Sequence, residues 1–315
     1  MVALTSSLGP VGHGGLLFPA SGTGATGPLD AYTTDLLFAG STARRLLGAF
    51  AGASGILRVR ESGGSTEANV GLTGAAVMDE IALLAHTGAN SGYLRYLRDQ
   101  SAAAYDFGHA TASVQPRIVS AGTIDTANSQ PAARFDGVND CWDRADTCGY
   151  TFGPLTMIAV VKLSDATARR AVCIIGQSGS GSNYIGIEGK TFLSAGNNWG
   201  VYLPGSDTYE SNLPLSTSLA VVCLRVSSTT AGSTIAGTVA LSLNGTAATT
   251  LTATAGNGLW GAMTGMNAVR VGGYPGGGSF YLYGWLPELM IWNRDIGATA
   301  EAAIVTNCKT YYSIL

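Results

Sequence analysis

From about residue 116 onward the chain is a succession of short apolar or alternating runs separated by turn residues. The runs are Arg117–Val119, Ala132–Phe135, Leu155–Leu163, Ala171–Gly176, Tyr184–Glu188, Leu219–Val226, Thr238–Leu243, Ala268–Gly272 and Phe280–Ile291. Most are too short for buried helices and are rich in β-branched residues, so they read as strands. Leu243-Asn244-Gly245-Thr246 is the strongest hairpin turn, because Asn-Gly supplies the two positive-φ residues a type I′ turn needs. Strands at this spacing pack as an antiparallel sandwich. The fold class expected is therefore all-β with a few short helices. One helix is expected at Ala298–Tyr311, with Ala303, Ile304 and Cys308 on one face.

The N-terminal third reads differently. Residues 1–28 are rich in Gly, Ser, Thr, Ala and Pro and predict an extended arm. Residues 29–315 then form one domain, with a helical elaboration over about 29–92. Its helix-like segments are Asp35–Phe50 and Ala75–His86, the second with Val77, Met78, Ile81 and Leu84 at helical spacing and Gly88 as C-cap. Between them, Ile56–Arg60 alternates like a strand.

Charged residues are only 12% of the chain, about half the usual share, and glycines number 44. Such a surface suits a protein covered by neighbours, and a homo-oligomer is expected. The net charge is −3 and the longest basic runs are Arg44-Arg45 and Arg169-Arg170, so no nucleic-acid partner is expected. No run has the length of a membrane-spanning helix, and no membrane partner is expected. Met1–Pro19 lacks the features of a secretory leader, which predicts synthesis in the cytoplasm. The five cysteines are an odd number, which argues against a complete disulfide framework. Cys141 and Cys148 are close enough in sequence to close a small loop.

Four segments carry a resemblance: Arg95-Tyr96-Leu97-Arg98-Asp99-Gln100-Ser101, Gln115-Pro116-Arg117-Ile118-Val119, Ala133–Asp140 and Tyr283–Arg294. In this order the chain resembles the concanavalin A-like, laminin-G-like jelly rolls of tailed-bacteriophage structural proteins. It is more distantly similar to the catalytic domain of arabinofuranosidase-B-type glycoside hydrolases. The resemblance implies a jelly roll with Asp99, Gln100, Ser101, Arg117, Asp136, Gly137 and Glu288 as its fold signature. It gives Glu288 a structural role, pairing with Arg294 or accepting backbone donors.

The enzymes use a carboxylate pair. By the resemblance, one position holds Tyr184, after Gly179-Ser180-Gly181, and the other Tyr274, after Gly272-Gly273. A phenol with an ordinary pKa near 10 is a poor substitute for a carboxylate. Glu188, the nearest carboxylate, is expected at a strand end facing solvent. No catalytic residue is therefore assigned and no enzyme is expected. There is no Gly-x-Ser-x-Gly elbow, no P-loop lysine and no zinc-ligand spacing. No cofactor or metal is assigned, with calcium at Asp136, Asp140, Asp143 and Asp146 as the one alternative. For glycan binding the candidates are Asn197, Asn198, Trp199, Tyr202 and Tyr274, because rings flanked by amides suit sugar faces. Trp142, Trp285 and Trp292 are expected in the core.

The leading expectation is a non-enzymatic phage virion structural protein: a capsid decoration, or a tail, collar or fibre component. It would assemble with other virion proteins in the host cytoplasm. The alternative is a carbohydrate-binding adhesin that recognises host surface glycans from the virion. The third reading is an active glycoside hydrolase.

Overall fold

The computed structural model describes residues 26–50, 55–179, 183–191, 196–205, 207–277 and 280–315. The arm expected over 1–28 lies almost wholly outside these residues. The rest forms two β layers. In the first, strands pair in the spatial order Glu67–Val70, Leu57–Glu61, Gly92–Leu97, Arg117–Ser120, Ala133–Asp136, Tyr283–Trp292, Leu155–Leu163, Ala220–Val226 and Val239–Leu243, all antiparallel. In the second the order is Trp142–Arg144, Ala268–Val271, Arg170–Gly176, Tyr184–Gly189, Asn198–Leu203, Asp207–Pro214 and Leu251–Ala255. The short strand Phe107–Gly108 joins them, with Gly108 pairing Tyr96 of the first layer and Asp143 of the second.

The main core lies between the layers. Met157, Ala159 and Val161 of the first meet residues such as Val172, Ile185, Val201 and Val269 of the second. Leu155–Leu163 is buried along its length except at Lys162, because its other face is covered too. There Ile158, Val160, Met290 and Trp292 pack under the C-terminal helix Gly297–Tyr311 through Ile304, Val305 and Cys308. Each fully buried aliphatic side chain is worth about 1.5–3 kcal/mol, so this doubly covered strand is the mechanical centre of the fold.

The N-terminal elaboration is more β than the sequence suggests. Asp35–Phe50 holds no helix. Leu36–Ser41 is a strand that pairs Leu36 with Trp292 and Ser41 with Glu288. Its run of Leu36, Phe38 and Ala39 finds more burial in that ladder than an isolated helix would offer, so tertiary pairing overrides local propensity. The second helix is real but starts later, at Glu80–Thr87. Asp79 caps it by accepting the Ala82 N–H at 2.9 Å, and Gly88 ends it. Ile81 is 84% exposed while Leu83 and Thr87 are buried, so the buried face is rotated from the one expected. Cys141 and Cys148 are free thiols, as are the other three cysteines, and all five are buried. Trp142 and Trp292 are in the core, whereas Trp285 is half-buried on the outer face of the first layer.

Candidate functional site

The two positions that the resemblance aligns with catalytic carboxylates do meet in space. Tyr184 and Tyr274 stack edge-to-face at 5.1 Å between ring centroids, and Tyr202 joins both at 5.5 and 5.8 Å. The trio lies on the second layer with Ala171 and Ile174. Glu188 belongs to the same cluster and is fully buried, contrary to its expected place in solvent. Its carboxylate takes both Arg169 donors, Nε at 2.7 Å and a terminal nitrogen at 2.9 Å, and also the Tyr274 hydroxyl. The strand runs on to Gly189 and pairs on both sides, which is why residue 188 is not an end. A carboxylate closed in by a guanidinium fork and a phenol is unavailable to a sugar. Burial pushes the Tyr274 hydroxyl well above the ordinary tyrosine range, with the Glu188 charge adding to the shift. The cluster is therefore a buried polar network. Tyr274→Phe is expected to lower stability by about 1.5 kcal/mol, the low end for a hydrogen bond to a charge, because Arg169 still holds both oxygens. Urea denaturation checks this, and an unchanged midpoint would refute it.

The proposed glycan loop is a strand, Asn198–Leu203, so its side chains alternate. Trp199 turns into the main core and is 2% exposed, while Tyr202 turns to the opposite face. A ring buried on both sides offers no face to a sugar. Asn197 is exposed, and Asn198 donates to Glu210 at 2.9 Å. Of the five candidates, Tyr202 and Tyr274 thus meet within the buried tyrosine trio, while Trp199 lies on the opposite face of its strand.

The signature residues hold the frame. Asp99 accepts from the Ala39, Ser101 and Tyr105 amides at 2.8–2.9 Å and from the Ser101 hydroxyl at 2.7 Å. Gln100 accepts from Leu46 N–H and donates to the Arg44 carbonyl. Glu288 pairs with Arg44, not with Arg294. Asp136 accepts from the Val138, Asn139 and Asp140 amides and so closes its own loop. Gly137 sits there at φ +77°, with Tyr283 2.7 Å from where a Cβ would lie, so only glycine fits.

That loop forms one wall of a cavity of about 730 Å3 on the outer face of the first layer. Side chains from five strands and two loops meet here: Arg60, Tyr93, Arg117, Arg134, Asp136 and Tyr283 from strands, with Gln115 and Asp140 beside them. Antiparallel register explains the convergence. Arg60 lies opposite Tyr93, Tyr93 opposite Arg117, Arg117 opposite Arg134, and Asp136 opposite Tyr283. Registered partners point to one face. Arg60 lies over the Tyr93 ring at 4.9 Å and donates to Gln115 at 2.8 Å. Arg117 forks onto Asp125 at 2.7 and 3.0 Å. Asp140 is 7% exposed, and one of its oxygens accepts the Asp136 N–H at 2.9 Å. Burial first, and the neighbouring Asp136 charge second, push its carboxyl up to about 7, against the pull of Arg117 and Arg134. At neutral pH this group is a ready proton donor or acceptor.

Of the aspartates offered to calcium, Asp136 and Asp140 adjoin, whereas Asp143 pairs with Arg270 and Asp146 with Arg144. His109, Cys141 and Asp143 do bring three donor atoms within 4.8 Å of one another. The His109 Nδ1 accepts the Thr111 N–H at 3.0 Å, which leaves the ring proton on Nε2, facing Asp143 at 3.7 Å. Burial pushes the Cys141 thiol up to about 12. Within the trio, Asp143 is held by the Arg270 guanidinium, which donates to both of its oxygens.

Among solved structures, the fold is similar to an arabinofuranosidase complexed with arabinofuranosyl-α-1,2-xylobiose, with a TM-score of 0.64 at 14% identity. It is also similar to a GH54 α-L-arabinofuranosidase soaked with a cyclic sulfate inhibitor, with a TM-score of 0.61 at 15% identity. In both cases 90% of this chain is covered and 64% of the other, so it spans a little under two thirds of their length. No protein-family model and no curated protein matches the chain. At this identity the likeness shows the fold, an all-β sandwich that also occurs in glycosidases. The expectation of a non-enzymatic virion building block is corrected by this likeness: the two structures named here, each sharing the fold over nine tenths of this chain, are arabinofuranosidases.

Proposed function

We propose that this chain is a carbohydrate-active protein that holds a saccharide in the cavity between Arg60 and Asp140. One observation carries the reading: a 730 Å3 recess whose wall combines two half-buried tyrosine rings with fixed guanidinium, amide and carboxyl groups. That volume lies within the ~300–1,000 Å3 usual for small-ligand sites. A sugar presents an apolar C–H face and a rim of hydroxyls. Tyr93 and Tyr283 suit the face, and Gln115, Asp136 and Asp140 suit the rim. A second reading, glycosidic bond cleavage, rests on Asp140 alone. A buried carboxyl raised to about 7 on a cavity wall is suited to act as a general acid.

Titration calorimetry against a panel of pentose and hexose oligosaccharides tests the first reading. Binding is expected, and Tyr93→Ala is expected to weaken it roughly two- to twelvefold, the value of one aromatic contact. A panel in which nothing binds, or binding indifferent to Tyr93→Ala and Asp140→Asn alike, would overturn it. Release of reducing ends, lost on Asp140→Asn, would establish the second reading.

A further inference from the structure

The register that builds the cavity continues past it. Arg134 lies opposite Trp285 and Trp285 opposite Lys162. One transverse row across six strands therefore reads Arg60, Tyr93, Arg117, Arg134, Trp285 and Lys162. It holds four cations and two rings. The guanidinium of Arg134 lies 5.6 Å from the Trp285 ring centre and the Lys162 ammonium 5.1 Å from it.

Two arginines face each other in this row. Like charges directly opposite across an antiparallel pair are unfavourable unless something neutralises them. Asp125 neutralises Arg117 with both oxygens. Arg134 has no ion pair among the described residues, and its Nε is buried without an acceptor. Three other arginines, Arg95, Arg98 and Arg170, also have an unmet Nε, but each of those holds a carboxylate within 4.0 Å. Arg134 is the arginine of this group without one. The Trp285 indole N–H, its register partner, is likewise buried without an acceptor. Arg60 spends its donors on a neutral amide and a backbone carbonyl, so its charge is also unbalanced.

We propose that the saccharide taken by this cavity is a sugar acid, one whose carboxylate pairs with the Arg134 guanidinium. The inference rests on the saccharide-binding reading above and names its ligand class. A planar guanidinium donates two parallel hydrogen bonds to a carboxylate, which is the partner Arg134 lacks among the described residues. Asp136 and Asp140 argue against a nucleic acid, because closely spaced phosphates would be held against two carboxyl groups. A sugar acid carries one charge per ring, and its hydroxyls can pair with those same aspartates.

The probes are a galacturonic acid tetramer, the same tetramer fully methyl-esterified, and a single-stranded oligonucleotide. The esterified chain keeps shape and hydroxyls and loses charge. The acid is expected to bind at least about tenfold more tightly than the ester, the size of one charge-assisted pair. Arg134→Gln is expected to bring the affinity for the acid down to that of the same variant for the ester, which removes the preference. Arg134→Lys keeps the charge without the fork and is expected to retain only part of the preference, in a salt-sensitive form. Equal affinity for acid and ester would sink the inference and leave the saccharide reading intact. Failure of both tetramers to bind would overturn the inference, and the neutral oligosaccharide panel then decides whether the saccharide reading stands. Tighter binding of the oligonucleotide than of the acid would overturn the inference in favour of nucleic acid.

Discussion

Replacing Glu288 by alanine is expected to lower the free energy of unfolding by about 3–5 kcal/mol, the cost of orphaning one member of a buried ion pair. Glu288 is fully buried and Arg44 nearly so. The Glu288 carboxylate accepts from the Arg44 Nε at 2.6 Å and from a terminal nitrogen at 3.1 Å. It also accepts from the Ser41 hydroxyl at 3.1 Å and the Tyr312 hydroxyl at 2.9 Å. Arg44 in turn donates to Asn307 and lies over the Tyr311 ring at 4.1 Å. One carboxylate thus ties the N-terminal strand and the segment after it to the Tyr283–Trp292 strand and the end of the C-terminal helix. Burial alone would pull the Arg44 proton affinity down, yet Glu288 carries it well above the ordinary range. Without Glu288, a guanidinium is left in a site with no other carboxylate among its described partners. Guanidinium denaturation of Glu288→Ala, Glu288→Gln and the paired change Arg44→Met with Glu288→Leu separates the contributions. The alanine variant should fall furthest and the glutamine variant less. The paired change should lie closer to the native protein than Glu288→Ala, since no lone charge remains. A loss below about 1 kcal/mol in Glu288→Ala would refute the role.

That role was legible in the sequence only as the statement that Glu288 is structural; its partner was not. Arg294 is six residues away along one strand turn, whereas Arg44 is brought to Glu288 only because Leu36–Ser41 becomes a strand beside it. The layers themselves were readable, because short β-branched runs bounded by turn residues are written locally. Leu155–Leu163 was delimited at both ends, and Ala298–Tyr311 differs from the observed helix by one residue. Glu188 was misjudged because alternation says which face a residue takes, not whether that face is covered. The cavity escaped for a different reason. Arg60, Tyr93, Arg117, Arg134 and Tyr283 lie far apart in sequence and share nothing but register. A faint signal was present: each strand there carries an arginine or tyrosine at the positions alternating with its core residues Val59, Leu94, Ile118 and Phe135. A charge count along the chain showed no basic patch because the patch runs across strands.

Asp140→Asn is expected to change how stability depends on pH, and the sign follows from the direction of its shift. An unfolded aspartate ionises near its ordinary 3.8, while in the fold this carboxyl ionises near 7. Between those values the native protein holds a proton that the unfolded chain has released. Stability must therefore fall as pH rises from about 4 to about 7 and then level off. The shift corresponds to about 4 kcal/mol at 1.36 kcal/mol per unit. Solvent at the cavity mouth screens part of it, so about 2–4 kcal/mol is the expected span. Asparagine keeps the oxygen that accepts the Asp136 N–H and has no charge to bury. The variant should match the native protein near pH 3, below the unfolded pKa, and exceed its stability by that span at pH 8.5, measured by urea denaturation at both values. Parallel profiles would mean that Asp140 titrates as an ordinary surface group, and the acid available for glycosidic chemistry would go with it. A native profile that falls with pH and a variant profile that does not would show that the cavity keeps a carboxyl protonated at a cost to the fold, the trade-off expected where a site is shaped for function.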